Sequence, residues 1–261
     1  MADLTYIRVE QDGEIAVVVI DRQDKLNALN ADVVDELGQA FEALREDDSV
    51  RGVIVTGAGE EAFVAGADIG ELAQMDSISG VGVSRDGQDV FLAIERFPKP
   101  VLAAVGGFAL GGGCELALAC HLRIASENAR FGQPEVGLGI IPGYGGTIRL
   151  SRLVGLGRAI ELTLTGEMVD AQRAQQIGLV SAVVSRESLL DDAKQFMRRI
   201  TKNAPIAVRM ALESIYGALD SAAAEAYAFE SSLFGLLAST EDMKEGMAAF
   251  MEKRKADFKG R

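Results

Sequence analysis

The stretch Gly106–Pro142 reads GGFALGGGCELALACHLRIASENARFGQPEVGLGIIP, and the reading of the whole chain turns on it. Of its three glutamates, two, Glu115 and Glu135, carry the argument. Each lies beside glycines or a proline, on a background that is otherwise almost entirely apolar. Burying an unpaired charge is costly, so a carboxylate among Gly, Ala, Leu and Val needs a reason. Paired carboxylates doing acid/base work would be one.

Val101–Val105, just before the stretch, is a strand of small and branched residues. Gly111-Gly112-Gly113 follows, then Cys114–Ala119 as a short apolar helix, then the strand Leu122–Ala125. Strand, glycines, helix and strand in that order describe a right-handed α/β crossover, which aims a helix N-terminus at whatever lies above the sheet. Glycines at that point let a ligand approach the backbone closely. The free N–H groups and the helix dipole favour developing negative charge, which is the recipe for an oxyanion hole. A glycine cluster serving only tight packing reads the same way. A second glycine-rich loop, Val64-Ala65-Gly66-Ala67-Asp68, offers a further N–H, or is a plain surface turn. Glu115 falls in the first turn of its helix and also fits an ordinary helix-start acid. Glu135, between Pro134 and Val136-Gly137, also fits an exposed loop acid. The pair says more than either residue alone, because two carboxylates converging on one site push their pKa values apart.

Outward from this stretch the chain alternates. Tyr6–Glu10 and Ile15–Ile20 are β-rich and flank Asp12-Gly13, a hairpin signal. Asn30–Asp47 has apolar residues at helical spacing, with Asn30 or Asp32 as the cap. Val53–Thr56 reads as a short buried strand. Gly57–Gly70 is too rich in glycine for a regular element. Its opening GAGEEA matches a G-x-G-x-x-A fingerprint, but no amphipathic helix follows it and a lone fingerprint is weak. Ser84–Phe97 is a helix stopped by Pro98 and Pro100. Beyond Gly143 the spacing predicts helices over Thr147–Val154, Gly157–Thr165 and Ala171–Ile177, then one more strand at Val180–Val184. From Glu187 onward only helices are expected: Glu187–Asn203, Pro205–Tyr216, Ala222–Ala238 and Glu241–Phe250. No linker rich in Pro, Gly or Ser separates them, so residues 198–261 extend the fold of residues 1–197. Phe229, Leu233, Phe234, Leu236 and Leu237 look exposed and suggest burial against another subunit.

Bulk properties narrow the function. The 261 residues are 48% hydrophobic and 25% charged, enough for one large core. A net charge of −13 argues against a nucleic-acid or anionic-membrane surface, so phosphate on a ligand must be met by local cations or helix N-termini. Cys114 and Cys120 have no metal-ligand spacing and read as buried reduced thiols. The single histidine, His121, has no ligand set around it, and one histidine makes a Ser-His-Asp triad a poor fit. There is no signal-peptide pattern and no apolar run long enough to span a bilayer. The chain therefore reads as cytoplasmic, or as the mature form of an organelle protein.

The strings FVAGADI, KPVLAAVGGFALGGGCELALACHLRIAS, RFGQPEVGLGIIPGYGGTIRL and TEDMKEGMAAFMEKRKADF closely resemble the enoyl-CoA hydratase (crotonase) family, in order and over nearly the whole chain. Having both GGG-C-E and FGQPE points to the hydratase branch. The resemblance implies an α/β crotonase-like fold of repeated ββα units, with two roughly perpendicular sheets and a C-terminal helical region that drives assembly into homotrimers and homohexamers. It implies an acyl-CoA thioester substrate, with coenzyme A as part of that substrate and no metal or redox cofactor. The thioester carbonyl would sit between the N–H groups of Ala67 and Gly112. Glu115 would activate a water for addition to C3, and Glu135 would supply the proton to C2. Ala65, Gly66, Ala67, Asp68, Ile69 and Gly70 would line the adenine and pantetheine path, flanked by Lys25 and Leu26. Phe250 and Lys253 would reach into a neighbouring subunit's site, Lys253 as a phosphate cation. The segment Met75–Gln88 would border the acyl tail. His121 departs from the family, where an Asp often follows ALAC.

Two other readings differ in what they require. The first is an enoyl-CoA isomerase or another crotonase-type acyl-CoA enzyme; an isomerase needs only one well-placed base, so keeping both glutamates argues against it as the main activity. A non-enzymatic RNA-binding scaffold needs a Lys/Arg stripe that the acidic chain lacks.

Overall fold

The computed structural model describes residues 4–261. The chain opens with β1 (Ile7–Asp12) and β2 (Ile15–Ile20), the expected hairpin, then α1 (Ala31–Glu46), β3 (Gly52–Gly57), β4 (Ala62–Val64), α2 (Ile69–Leu72) and α3 (Ser77–Glu95). The central part comprises β5 (Val101–Val105), β6 (Phe108–Leu110), α4 (Gly112–Ala119), β7 (Leu122–Ser126) and β8 (Arg130–Gly132). The remainder is α5 (Gly146–Val154), α6 (Leu156–Thr165), β9 (Val169–Asp170), α7 (Ala171–Gln176), β10 (Ala182–Val184), α8 (Leu189–Thr201), α9 (Pro205–Leu219), α10 (Ala223–Leu237) and α11 (Glu241–Glu252).

The strands form two sheets. A six-stranded sheet runs β1-β2-β3-β5-β7-β10, and a four-stranded sheet runs β4-β6-β8-β9. In the large sheet only the β1–β2 pair is antiparallel. Parallel strands covered on both faces read as unbroken apolar runs rather than alternating ones, as in β2 (IAVVVI) and β5 (VLAAV), every residue of which is buried. One face packs on α8 through Leu189, Ala193 and Met197. The opposite face shares a core with α1, α3 and α4. Asn30 caps α1, its Oδ1 accepting from the Val33 N–H at 3.0 Å.

The small sheet corrects the expectation that Gly57–Gly70 lacks regular structure. β4 lies within it and α2 begins in it at Ile69, and β6, β8 and β9 are likewise unheralded in the sequence. α3 begins at Ser77, two turns before the expected Ser84, because Asp76 and Ser79 form a capping box that outweighs Gly80 and Gly82. The division at 197/198 falls inside α8, which belongs to the core, so the helical extension begins at Pro205. In that extension α9 packs on α10. Leu233 is buried there, whereas Phe229, Phe234 and Leu236 are exposed. Among the described residues no helix is long and apolar enough to cross a membrane.

Candidate active site

Three loops leave the C-terminal ends of three neighbouring parallel strands of the small sheet. β4 delivers Ala65-Gly66-Ala67, β6 delivers Gly111-Gly112 and the start of α4, and β8 delivers Gln133-Pro134-Glu135. The region beyond the carboxyl ends of parallel strands is where open α/β sheets bind ligands. Here the loops border a cleft of 990 Å³.

The first loop is held by the turn before α1. Leu29 donates to the Gly66 carbonyl at 2.8 Å and accepts from the Asp68 N–H at 2.7 Å, bracketing Ala67 in a parallel bridge. The bridge engages the groups on either side of Ala67, so Ala67's own N–H has no acceptor among the described residues. That turn is itself pinned by buried Asn27, whose Nδ2 donates to the carbonyls of Ala58 and Ala62, both at 2.9 Å. Leu26 and Asn27 both adopt positive φ to make it.

Gly112 is the first residue of α4, and a helix leaves its first N–H groups without partners of its own. The Gly112 N–H therefore also has no acceptor among the described residues. All eight residues of α4 are buried, Glu115 included. Its Oε1 accepts from the N–H groups of Tyr144 at 2.8 Å and Gly146 at 2.7 Å. Burial pushes the Glu115 carboxyl up to about 7, helped by the nearby Glu135 and opposed by those two donors and by Arg149. Glu135 sits in a 3-10 turn, Pro134–Leu138, and is buried rather than an exposed loop acid. Burial raises its pKa too, and its Oε2 has no protein partner.

The cleft brings together Ala65, Gly66, Ala67, Ile69, Gly112, Glu115 and Glu135. Lys25, Leu26, Asp68 and Gly70 are not among the residues that line it. Leu26 accepts from the Ala65 N–H, and Asp68 pairs with Arg22 at 2.8 Å while capping the Gly70 N–H. Those bonds give Asp68 a scaffolding place, stiffening the loop that carries Ala67. Met75, Gly80, Val83, Ser84 and Gln88, all from the segment Met75–Gln88, line the cleft. Phe250 and Lys253, at the end of α11, are exposed outside their own chain's cleft. The adjacent Arg254 is bound to Glu245 and Glu252, which leaves less free positive charge there than the run Lys253-Arg254-Lys255 suggests. His121 accepts from the Val101 N–H through Nδ1, so Nε2 carries the proton and donates to the Glu95 carbonyl at 3.1 Å. Burial lowers its pKa to about 4, and it is a neutral structural pin.

Sequence reasoning missed Tyr144 and Gly146, the two donors that hold Glu115. The signal was present in the run Gly143-Tyr144-Gly145-Gly146 before α5, the same arrangement of glycines ahead of a helix that marked residues 111–113.

The family model described as enoyl-CoA hydratase/isomerase matches residues 10–261. A short-chain-enoyl-CoA hydratase of Clostridium acetobutylicum is 50% identical, over 99% of this chain and 100% of that one. A crotonyl-CoA hydratase of Syntrophomonas wolfei is 46% identical, over 97% of each chain. The crystal structure of an enoyl-CoA hydratase from Bacillus anthracis superposes with a TM-score of 0.95 at 39% identity, covering 98% of this chain and 100% of that one. With a cleft carrying two glutamates and matches over nearly its full length, the chain belongs to the enoyl-CoA hydratase/isomerase (crotonase) family, on its hydratase branch.

Proposed function

We propose that this hydratase adds water across the C2=C3 bond of short-chain trans-2-enoyl-CoA thioesters, using Glu115 and Glu135 together. The observation that carries the reading is the meeting of two buried carboxylates beside two unengaged backbone N–H groups in one cleft. The thioester oxygen takes the N–H groups of Ala67 and Gly112, which stabilise the enolate charge as it develops. A water lies between the glutamates. Glu115, its Oε1 held in place by two backbone donors, removes a proton as the water oxygen bonds to C3. Glu135 starts protonated in this reading and passes its proton to C2. A proton then returns from Glu115 to Glu135, so that one water is added per cycle.

The short-chain assignment is supported by the names of the two relatives above. The same reading places the reaction in fatty-acid β-oxidation or an equivalent acyl-CoA route in the cytoplasm. It assembles the chain as trimers or hexamers through the exposed apolar faces of α9 and α10. In that assembly Phe250 and Lys253 approach the coenzyme A of a neighbouring subunit.

The test is loss of the conjugated-enoyl absorbance of crotonyl-CoA. Hydration is expected with the native chain, and a fall of about 10³ or more in kcat with Glu115→Gln or Glu135→Gln, at little cost in affinity for coenzyme A ligands. Native activity in either variant removes the two-carboxylate mechanism.

A further inference from the structure

Arg149 lies on α5, outside the cleft lining, yet its guanidinium touches the support of Glu115 at several points. Its Nε pairs with Oε2 of Glu95, at the end of α3, at 2.7 Å, and both side chains are 10% exposed. Its Nη1 donates to the Tyr144 carbonyl at 2.7 Å. The N–H of that same Tyr144, with the N–H of Gly146, holds Oε1 of Glu115. Between them Gly145 has φ +100°, and a β-carbon there would stand 2.5 Å from Nη1. The guanidinium thus sits against the turn that presents both donors. Glu95 is in turn anchored through its carbonyl by His121.

We propose that the buried Arg149–Glu95 pair is a positioning device for Glu115, acting through the main chain of Tyr144–Gly146. It rests on the reading of Glu115 as the base. A planar fork is needed because one side chain must bridge a carboxylate and a carbonyl at fixed angles, which a lysine ammonium does not do. The pair also sets charge. Glu115 faces Glu135 from the loop after β8, Arg149 from α5, the Tyr144 hydroxyl and the Cys114 thiol of its own helix, and Arg149 is the one cation among these.

The experiment uses the full chain with Arg149→Lys and with the double variant Arg149→Met/Glu95→Leu, which removes both charges and leaves neither buried alone. Misplacing a catalytic group by an ångström costs about 10²-fold in rate, so kcat on crotonyl-CoA is expected to fall about 10- to 100-fold. Affinity for acetoacetyl-CoA, which binds without hydration, is expected to stay within about threefold, since uniform binding is untouched. The acid limb of the kcat profile is expected to move to higher pH. Titration of carbon-13-labelled glutamates, with Glu115 identified by its loss in Glu115→Gln, reads the same upward move without turnover. Should Arg149→Lys fail to fold, the double variant decides. A folded variant with native kcat, native acid limb and native Glu115 titration overturns the proposal. Absence of crotonyl-CoA hydration by the native chain would instead overturn the hydratase reading, and the titration would still judge the positioning role.

Discussion

A β-carbon on Gly111 would stand 2.9 Å from Oε1 of Glu135 and 3.8 Å from the Cα of Gly66. Gly111 is therefore the point where the three site loops touch, and its φ of +48° already disfavours a side chain. Gly111→Ala is expected to displace the Glu135 carboxylate, strain the start of α4 and lower kcat by at least about tenfold, with a lower melting temperature. Steady-state hydration of crotonyl-CoA and a thermal melt check this. Native kcat in the variant would show that Glu135 needs no such seat.

Glu115 couples stability to pH. Its carboxyl stands near 7 in the fold against an ordinary 4.5, so the folded chain holds a proton that the unfolded chain has lost. Stability attributable to Glu115 is thus highest below about 4.5, falls as pH rises towards 7, and is flat above. Glu115→Gln keeps an oxygen for the Tyr144 and Gly146 donors and removes the charge. The variant is expected to gain stability over the native chain across that window, by on the order of 3 kcal/mol at pH 8. Urea unfolding at pH 5 and pH 8 measures it, and an equal difference at both values contradicts the buried, raised carboxyl.

The large sheet was legible because β2, β3, β5 and β7 are five or six residues long and buried on both faces, which leaves apolar runs with turn residues at each end. The small sheet was not. β4, β6 and β8 have three residues each and β9 has two, too few for any periodicity, and their pairing partners are distant in sequence. Yet this sheet aligns the site. The glutamates and the Gly111–Gly113 run stood out as chemistry without it, while the convergence of Ala67, Gly112 and Glu135 was legible only through resemblance. Glu95 and Arg149 left no mark at all, since an acid and a base far apart in sequence look like any solvated pair until packing buries them together.

Cys114 and Cys120 are the chain's two cysteines, both free and buried, and burial pushes each thiol up to about 12. Thiol reagents attack the thiolate, so the native chain is expected to react at neither position over an hour at pH 8. Two equivalents are expected after denaturation. Labelling with a chromogenic disulfide reagent counts them, and fast labelling of the native chain would place Cys114 in contact with the cleft.

The two N–H groups proposed to hold the thioester oxygen can be separated from the side chains around them. At Gly112 an added β-carbon would come within 3.3 Å of a Leu29 methyl and 3.4 Å of the Tyr144 ring, a crowding that small shifts relieve. Gly112→Ala thus keeps the donor and is expected to retain most of kcat. Gly112→Pro removes the same N–H at the first helical position, where proline is best tolerated, so α4 is expected to survive. Losing one such donor costs about 10²–10³ in rate in other enzymes, and kcat is expected to fall by that factor in Gly112→Pro alone. Circular dichroism establishes that both variants fold. If proline and alanine then reduce kcat equally, the loss is steric, and the Gly112 N–H is not part of the oxyanion hole.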